Sequence, residues 1–202
     1  LWEIDPVDIT FDSGVFVNAK SGDRISFKDL AGLQMKLGGV ISVSATSKGR
    51  KVSPAFAGNI VDVEVDPETG KVQILRYTVF QDCGRAAHPS YVEGQMQGGS
   101  VQGIGWALNE EYYFSEDGHL ANSSFLDYRM PTALDVPAIE TVILETPGDA
   151  HPFGMRGVGE VSIVPPMAAM ANAVSAATGV RLANLPMSPG SIVKAIDTAR
   201  KS

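Results

Sequence analysis

Gly94-Gln95-Met96-Gln97-Gly98-Gly99-Ser100-Val101-Gln102-Gly103-Ile104-Gly105 places five glycines and three glutamines within twelve residues. The stretch lies inside a predicted helix that starts at Pro89 and runs to about Leu108, with Val101, Ile104 and Leu108 on one face. Each glycine costs roughly 0.5–1 kcal/mol against alanine in a helix interior, so the set is a heavy local penalty. A helix tolerates that when something approaches its backbone closely: another helix, a sheet or a large ligand. Packing alone is the plain reading. The interleaved amides sharpen the ligand reading, because Gln95 lies near the helix N-terminus, where a side-chain amide and free N–H groups can hold an anion. Gln95 and Gly99 are four residues apart and share a face.

A second glycine cluster, Arg156-Gly157-Val158-Gly159-Glu160, ends on a carboxylate just before an apolar helix. Gly157 and Gly159 are expected to reach φ > 0 and to expose N–H groups to a flat or anionic ligand, with Glu160 as acceptor or base at its edge. The alternative is a tight turn whose glutamate is solvated or caps the next turn.

Elsewhere the pattern is one of strands joined by hairpins. Val7 to Phe11 and Val15 to Val17 flank Asp12-Ser13-Gly14, and Ser26 is placed to cap a helix over Phe27 to Met35. Gly38-Gly39 leads into a strand candidate at Val40 to Ser44, and the polar Ser47 to Lys51 reads as a loop. Ile60 to Val65 alternates with period two, Asp66 to Gly70 turns, and Val72 to Phe80 returns with only partial alternation, as for a strand partly buried on both faces. Asp82 and Arg85 are expected to pair across the next turn. Tyr112 to Leu120 suggests another hairpin and Ile139 to Leu144 another strand. Pro165-Pro166 opens a helix carrying Met167, Met170, Ala171 and Val174, which Gly179 stops; Ser188-Pro189 opens a last one with Ile192, Val193 and Ile196. The expected class is α+β, hairpin-rich mixed sheets with packed helices.

Composition narrows the function. A chain of 202 residues, 44% hydrophobic and 19% charged, can bury a real core. Its net charge of −7 counts against nucleic acid or an acidic membrane as partner. No run of about 18 apolar residues marks a membrane span. The single Cys83 suits a reducing, cytoplasmic setting and is read as a small buried residue. The opening Leu1-Trp2-Glu3-Ile4-Asp5-Pro6 lacks a signal-peptide pattern, and the chain is expected to begin part-way through a longer protein. His88, His119 and His151 lack ligand spacing, Ser123, Ser124 and Ser188 stand in no nucleophile motif, and Gly157-x-Gly159 lacks the strand–turn–helix setting of a dinucleotide site.

The glycine–glutamine helix resembles the Gly-Gln-x-x-Gly to Gln-Gly-x-Gly helix of the molybdenum hydroxylases: the xanthine dehydrogenase, aldehyde oxidoreductase and aerobic carbon monoxide dehydrogenase family. Val63 to Gly70 and Asp82-Cys83-Gly84-Arg85 look like that family's hairpin leading into the helix, and Arg156 to Glu160 matches its Gly-x-Gly-Glu motif. Val164-Pro165-Pro166 and Leu185-Pro186 come next, in the family's order. The resemblance covers about residues 55 to 200, with residues 1 to 50 matching loosely, and implies that 1–202 is one C-terminal molybdopterin-binding domain. The family's other, upstream molybdopterin-binding half has no counterpart here, so the chain reads as a fragment or as one subunit of a split enzyme.

The resemblance implies a molybdenum-dependent oxidoreductase that oxidises a small substrate (an aldehyde, an N-heterocycle or CO) with water as the oxygen source. It implies Glu160 as the catalytic base, and Gly94, Gln95, Gly157, Val158 and Gly159 as cofactor contacts. No protein ligand to the metal is implied. The cofactor would be molybdopterin, as the cytosine dinucleotide in many bacterial members, with iron–sulfur clusters and FAD on partner subunits or domains of an oligomer. Such a chain is expected to be inactive in isolation. The rival reading is a non-catalytic module that holds the cofactor or assists assembly.

Overall fold

The computed structural model describes residues 1–46 and 53–201. It divides into two units, Leu1–Lys48 and Gly49–Ser202; the loop expected at Ser47 to Lys51 lies outside the described residues.

The first unit is a small antiparallel sheet of β1 (Ile9–Asp12), β2 (Val15–Asn18) and β3 (Arg24–Ser26), in that order. The predicted hairpin is present, with Ser13 (φ 49°) and Gly14 (φ 79°) at its tip. β3, a three-residue strand, carries too little alternation to be read from sequence. Ser26 caps helix α1 (Phe27–Leu33), its Oγ accepting the Asp29 N–H at 3.0 Å. The strand expected at Val40 to Ser44 does not form; Val40 and Val43 are exposed, and among the described residues no strand pairs with them. A β-branched run suits a pleated surface, but without a partner strand it has no ladder to join.

The second unit holds the core. β4 (Phe56–Val65) and β5 (Val72–Asp82) form the expected hairpin, and Gly70 at its turn has φ 72°. The register slips at Asp62/Val63, leaving Leu75 without a partner. That bulge switches parity along β5: Ile74 and, past it, Tyr77, Val79 and Gln81 are all buried. This accounts for the broken alternation. Tyr77, Thr78 and Val79 are buried in succession, so the centre of β5 is covered on both faces.

β6 (Ile139–Leu144) completes the sheet in the order β4-β5-β6, running parallel to β5. Helix α2 (Pro89–Leu108) lies in the connection and packs against both strands. Hairpins alone therefore do not describe the topology; a parallel crossover joins β5 to β6, because a parallel neighbour cannot be reached by a tight turn. The α+β class stands, with mixed strand directions. α3 (Pro166–Thr178) packs on β4 and α2 and ends at Gly179, whose φ of 73° makes a left-handed cap. Its thirteen residues span roughly 20 Å at 1.5 Å each, short of the roughly 30 Å of a bilayer core. α4 (Pro189–Lys201) buries Ile192 and Ile196. The hairpin expected over Tyr112 to Leu120 is reduced to one bridge between Phe114 and Leu120.

Candidate functional site

The five glycines of α2 divide by what surrounds them. A Cβ on Gly99 would lie 2.1 Å from Ser162 Oγ, and one on Gly103 would lie 2.6 Å from Pro166. One on Gly105 would strike the Glu110 carboxylate at 2.0 Å and the Pro131 ring at 2.8 Å. These three are needed for packing. Gly94 and Gly98, one turn apart, are exposed and meet nothing within 4 Å. Gln95 is exposed beside them. Packing explains Gly99, Gly103 and Gly105 and leaves Gly94, Gln95 and Gly98, in the N-terminal half of the helix, exposed.

The second cluster meets this helix through its backbone. Ser162, fully buried in the 3-10 turn Val161–Ile163, donates to the Gln95 carbonyl at 3.1 Å. Gly99 gives that hydroxyl its room. Two motifs more than fifty residues apart in the chain are thus adjacent in space.

Arg156 straps the second cluster to the sheet. Its N–H donates to the Cys83 carbonyl at 2.8 Å. Its guanidinium donates to the Thr146 carbonyl from Nε (3.2 Å) and Nη2 (3.1 Å), and to the Pro54 carbonyl from Nη1. Nε also lies 3.7 Å from Asp82 Oδ2, both side chains being largely buried. Asp82 therefore pairs with Arg156 rather than with Arg85 as expected; the crossover brings a residue 74 positions later closer than one three positions later. Asp82 Oδ1 accepts from the N–H groups of Gly84 (2.9 Å) and Thr146 (3.1 Å). Burial pulls the Asp82 pKa up, but these amides, the Thr146 side chain and the Arg156 charge outweigh it and hold the carboxyl below its ordinary value. Gly84 (φ 71°) is obligatory, since a Cβ there would sit 2.2 Å from the Gly154 carbonyl.

Between the strap and the 3-10 turn, Gly157 and Gly159 do not take positive φ, contrary to expectation. The left-handed residues are Phe153 (φ 59°) and Gly154 (φ 72°) just upstream, and they make the chain reversal there. Nothing lies within 4 Å of a Cβ placed on Gly157 or Gly159, so the turn is open on that side. On the other side Gln81 Nε2 donates to the Val158 carbonyl at 3.1 Å. Glu160 is exposed at the start of the 3-10 turn and its side chain makes no capping hydrogen bond. It is the ionisable residue lining an open groove of about 430 Å³, whose other walls are Ala55, Phe56, Ala57, Val161, Val164 and Pro165.

Sequence reasoning missed Gln81, Ser162 and the strap. Gln81 was detectable in principle, since it continues the Tyr77, Val79 alternation onto the buried face. The histidines stay apart: His88 stacks on Tyr91 and His119 pairs with Asp117 at 2.9 Å. Burial, with Glu145 nearby, pushes the Cys83 thiol pKa up.

The fold corresponds to a known class. Residues 1–137 match the molybdopterin cofactor-binding domain family, and the chain belongs to that family. It is 32% identical over 200 residues, 94% of its length, to the 6-hydroxypseudooxynicotine dehydrogenase complex subunit gamma of Paenarthrobacter nicotinovorans, covering 25% of that protein. It is 37% identical over 179 residues to the xanthine dehydrogenase molybdenum-binding subunit of Escherichia coli O157:H7, covering 87% of this chain and 24% of the relative. Among solved structures, quinoline 2-oxidoreductase from Pseudomonas putida 86 superposes with a TM-score of 0.83 at 30% identity, over 95% of this chain and 26% of that one. The chain thus spans about a quarter of the length of these relatives.

Proposed function

We propose that the chain is the cofactor-contacting and proton-accepting part of a molybdenum hydroxylase, an oxidoreductase acting on a small substrate such as an aldehyde, an N-heterocycle or CO. The observation that carries this reading is the junction of the two motifs. Glu160, whose side chain makes no capping hydrogen bond, stands two residues before Ser162, which bonds the Gln95 carbonyl of the helix on which Gly94 and Gly98 meet nothing within 4 Å.

The residues suit an organic cofactor. The Gln95 amide can bond a polar ring edge, while Gly94 and Gly98 admit a flat group against the helix backbone. Gly157, Val158 and Gly159 offer backbone groups near the carboxylate. A metal here would arrive on its own organic ligand, with no protein side chain assigned to it. When bound, a molybdenum–pterin group would supply Lewis acidity and a sink for the electrons. Glu160 would accept the proton released from water as the substrate is oxidised. Phe56, Val161, Val164 and Pro165 give the groove beside that carboxylate an apolar lining.

Partners belong to the same reading. Phe125, Leu126 and Leu134 are 90%, 94% and 98% exposed, which supports contact with further polypeptide. We assign that role to the other molybdopterin-binding half, in an oligomer with iron–sulfur and flavin subunits or domains. We take the pterin to be the cytosine dinucleotide and the setting to be cytoplasmic.

The test is Glu160→Gln in the full-length, assembled protein. Glutamine keeps the shape and removes the base, so turnover should fall by about 10²-fold or more while molybdenum and pterin content stay unchanged. Retention of most of the activity would exclude Glu160 as base and leave the cofactor-holding or assembly module as the better reading.

A further inference from the structure

We infer that Gln81, on the central strand β5, is a positioning residue for the Glu160 turn, acting through the Val158 carbonyl. The inference rests on the reading of Glu160 as base but concerns a residue outside that reading. Three observations carry it.

The turn is intrinsically loose. Two of the three residues between Arg156 and Glu160 are glycines, which lose the most conformational freedom on folding, and no neighbour fills their Cβ sides. Among the described residues, the hydrogen bond that grips this stretch between Arg156 and Val161 is Gln81 Nε2 to the Val158 carbonyl, 3.1 Å.

The grip comes from the most rigid part of the fold. Gln81 is fully buried, and β5 is hydrogen-bonded on both sides, Gln81 lying opposite Ala57 on β4 and Ile143 on β6. Its displacement would require the sheet to move.

The side chain is otherwise unfavourable where it stands. Among the described residues Gln81 Oε1 is buried with no hydrogen-bond partner, at a site where Met or Leu would pack without an acceptor to satisfy. A fold-stabilising role alone does not account for an amide there; a required donor to Val158 does. With that carbonyl fixed, the backbone that leads to Glu160 two residues on has fewer positions open to it, and small displacements of a catalytic group are expensive in rate.

Gln81→Met in the assembled enzyme removes the donor, keeps the chain length and abolishes the orphaned oxygen. Hydrogen exchange of the peptide spanning 157–161 should accelerate by about tenfold or more, with the flanking β5 and α2 peptides unchanged. The kcat should fall by roughly tenfold to a hundredfold with KM and molybdenum content little altered, and Tm should hold or rise. Gln81→Asn, whose amide falls one methylene short, should move exchange and kcat in the same direction. Unchanged exchange at 157–161 would overturn the inference. So would a fall in Tm with faster exchange throughout the sheet, which marks a purely structural residue. If Glu160→Gln retains activity while Gln81→Met still loosens the turn, the base assignment fails and Gln81 remains what holds the turn. If Glu160→Gln is dead and Gln81→Met has full kcat, the positioning role alone fails.

Discussion

Asp82 and Arg156 illustrate how single residues hold this site. Each is largely buried, and each satisfies several partners: two N–H groups for Asp82, two carbonyls for Arg156, and one another. Removing one member of such a pair leaves the other uncompensated, at a typical cost of about 3–5 kcal/mol for a buried pair. Asp82→Asn and Arg156→Met should each destabilise the protein by about 2–4 kcal/mol in denaturant titrations, the pair being slightly open at 3.7 Å. The folded pKa of Asp82 lies below its ordinary value of 3.8, so its stabilisation is fully present above the carboxylate range and is lost as pH falls through that lowered value. Wild type and Asp82→Asn should therefore differ in stability at neutral pH and converge in strong acid. Glu160, Gln95 and their neighbouring glycines stand out in the sequence by residue type and spacing, while the roles proposed for them rest on the family resemblance. The partner of Asp82 was not, since its nearest cation in sequence is Arg85 and its nearest in space is Arg156.

The glycines of helix α2 divide into a packed set, Gly99, Gly103 and Gly105, and an open pair, Gly94 and Gly98. On the packed face, Gly103→Val would drive a branched side chain into Pro166, and Gly99→Val into Ser162 and the 3-10 turn; overpacking of this kind costs about 1–3 kcal/mol and shifts the backbone. On the open face, Gly94→Val and Gly98→Val meet no neighbour and should leave thermal stability unchanged or raise it by a few tenths of a kcal/mol. Pterin content of the assembled protein is the discriminating measurement. The open-face variants should lose cofactor without losing stability, and full retention in both would reduce that face to bare surface. The glycine density itself was visible in the sequence. Its division was not, because the same residue marks a close backbone neighbour and a surface left clear.

At the scale of the molecule, stability is concentrated in the second unit. The buried apolar cluster, including Tyr77, Val79, Met96, Ile104, Met170 and Ile192, lies wholly within it. Each such side chain contributes roughly 1.5–3 kcal/mol through burial. No apolar residue described in the first unit is fully buried, although Phe11, Phe16 and Phe27 cluster with ring centroids 4.5–6.5 Å apart. Amide exchange should accordingly be slowest in β5, α2 and α3 and much faster in β1–β3. Equal protection across residues 1–46 and 53–201 would contradict this distribution.

Local physics let the sequence by itself determine most of the elements and point to the family. Period-two alternation and a turn marked β4–β5, Pro89 and Pro166 started helices, Gly179 stopped one, and the Gly-Gln and Gly-x-Gly-Glu motifs pointed to a molybdopterin family. Tertiary structure alone decided that β6 runs parallel beside β5, that Leu75 bulges, that Val40 to Ser44 has no strand to join, and that Gln81 and Arg156 grip the Glu160 turn. Each of these depends on which groups end up adjacent after a long connection has closed. Spacing along the chain records what a residue can do; only the packed sheet fixes what it meets.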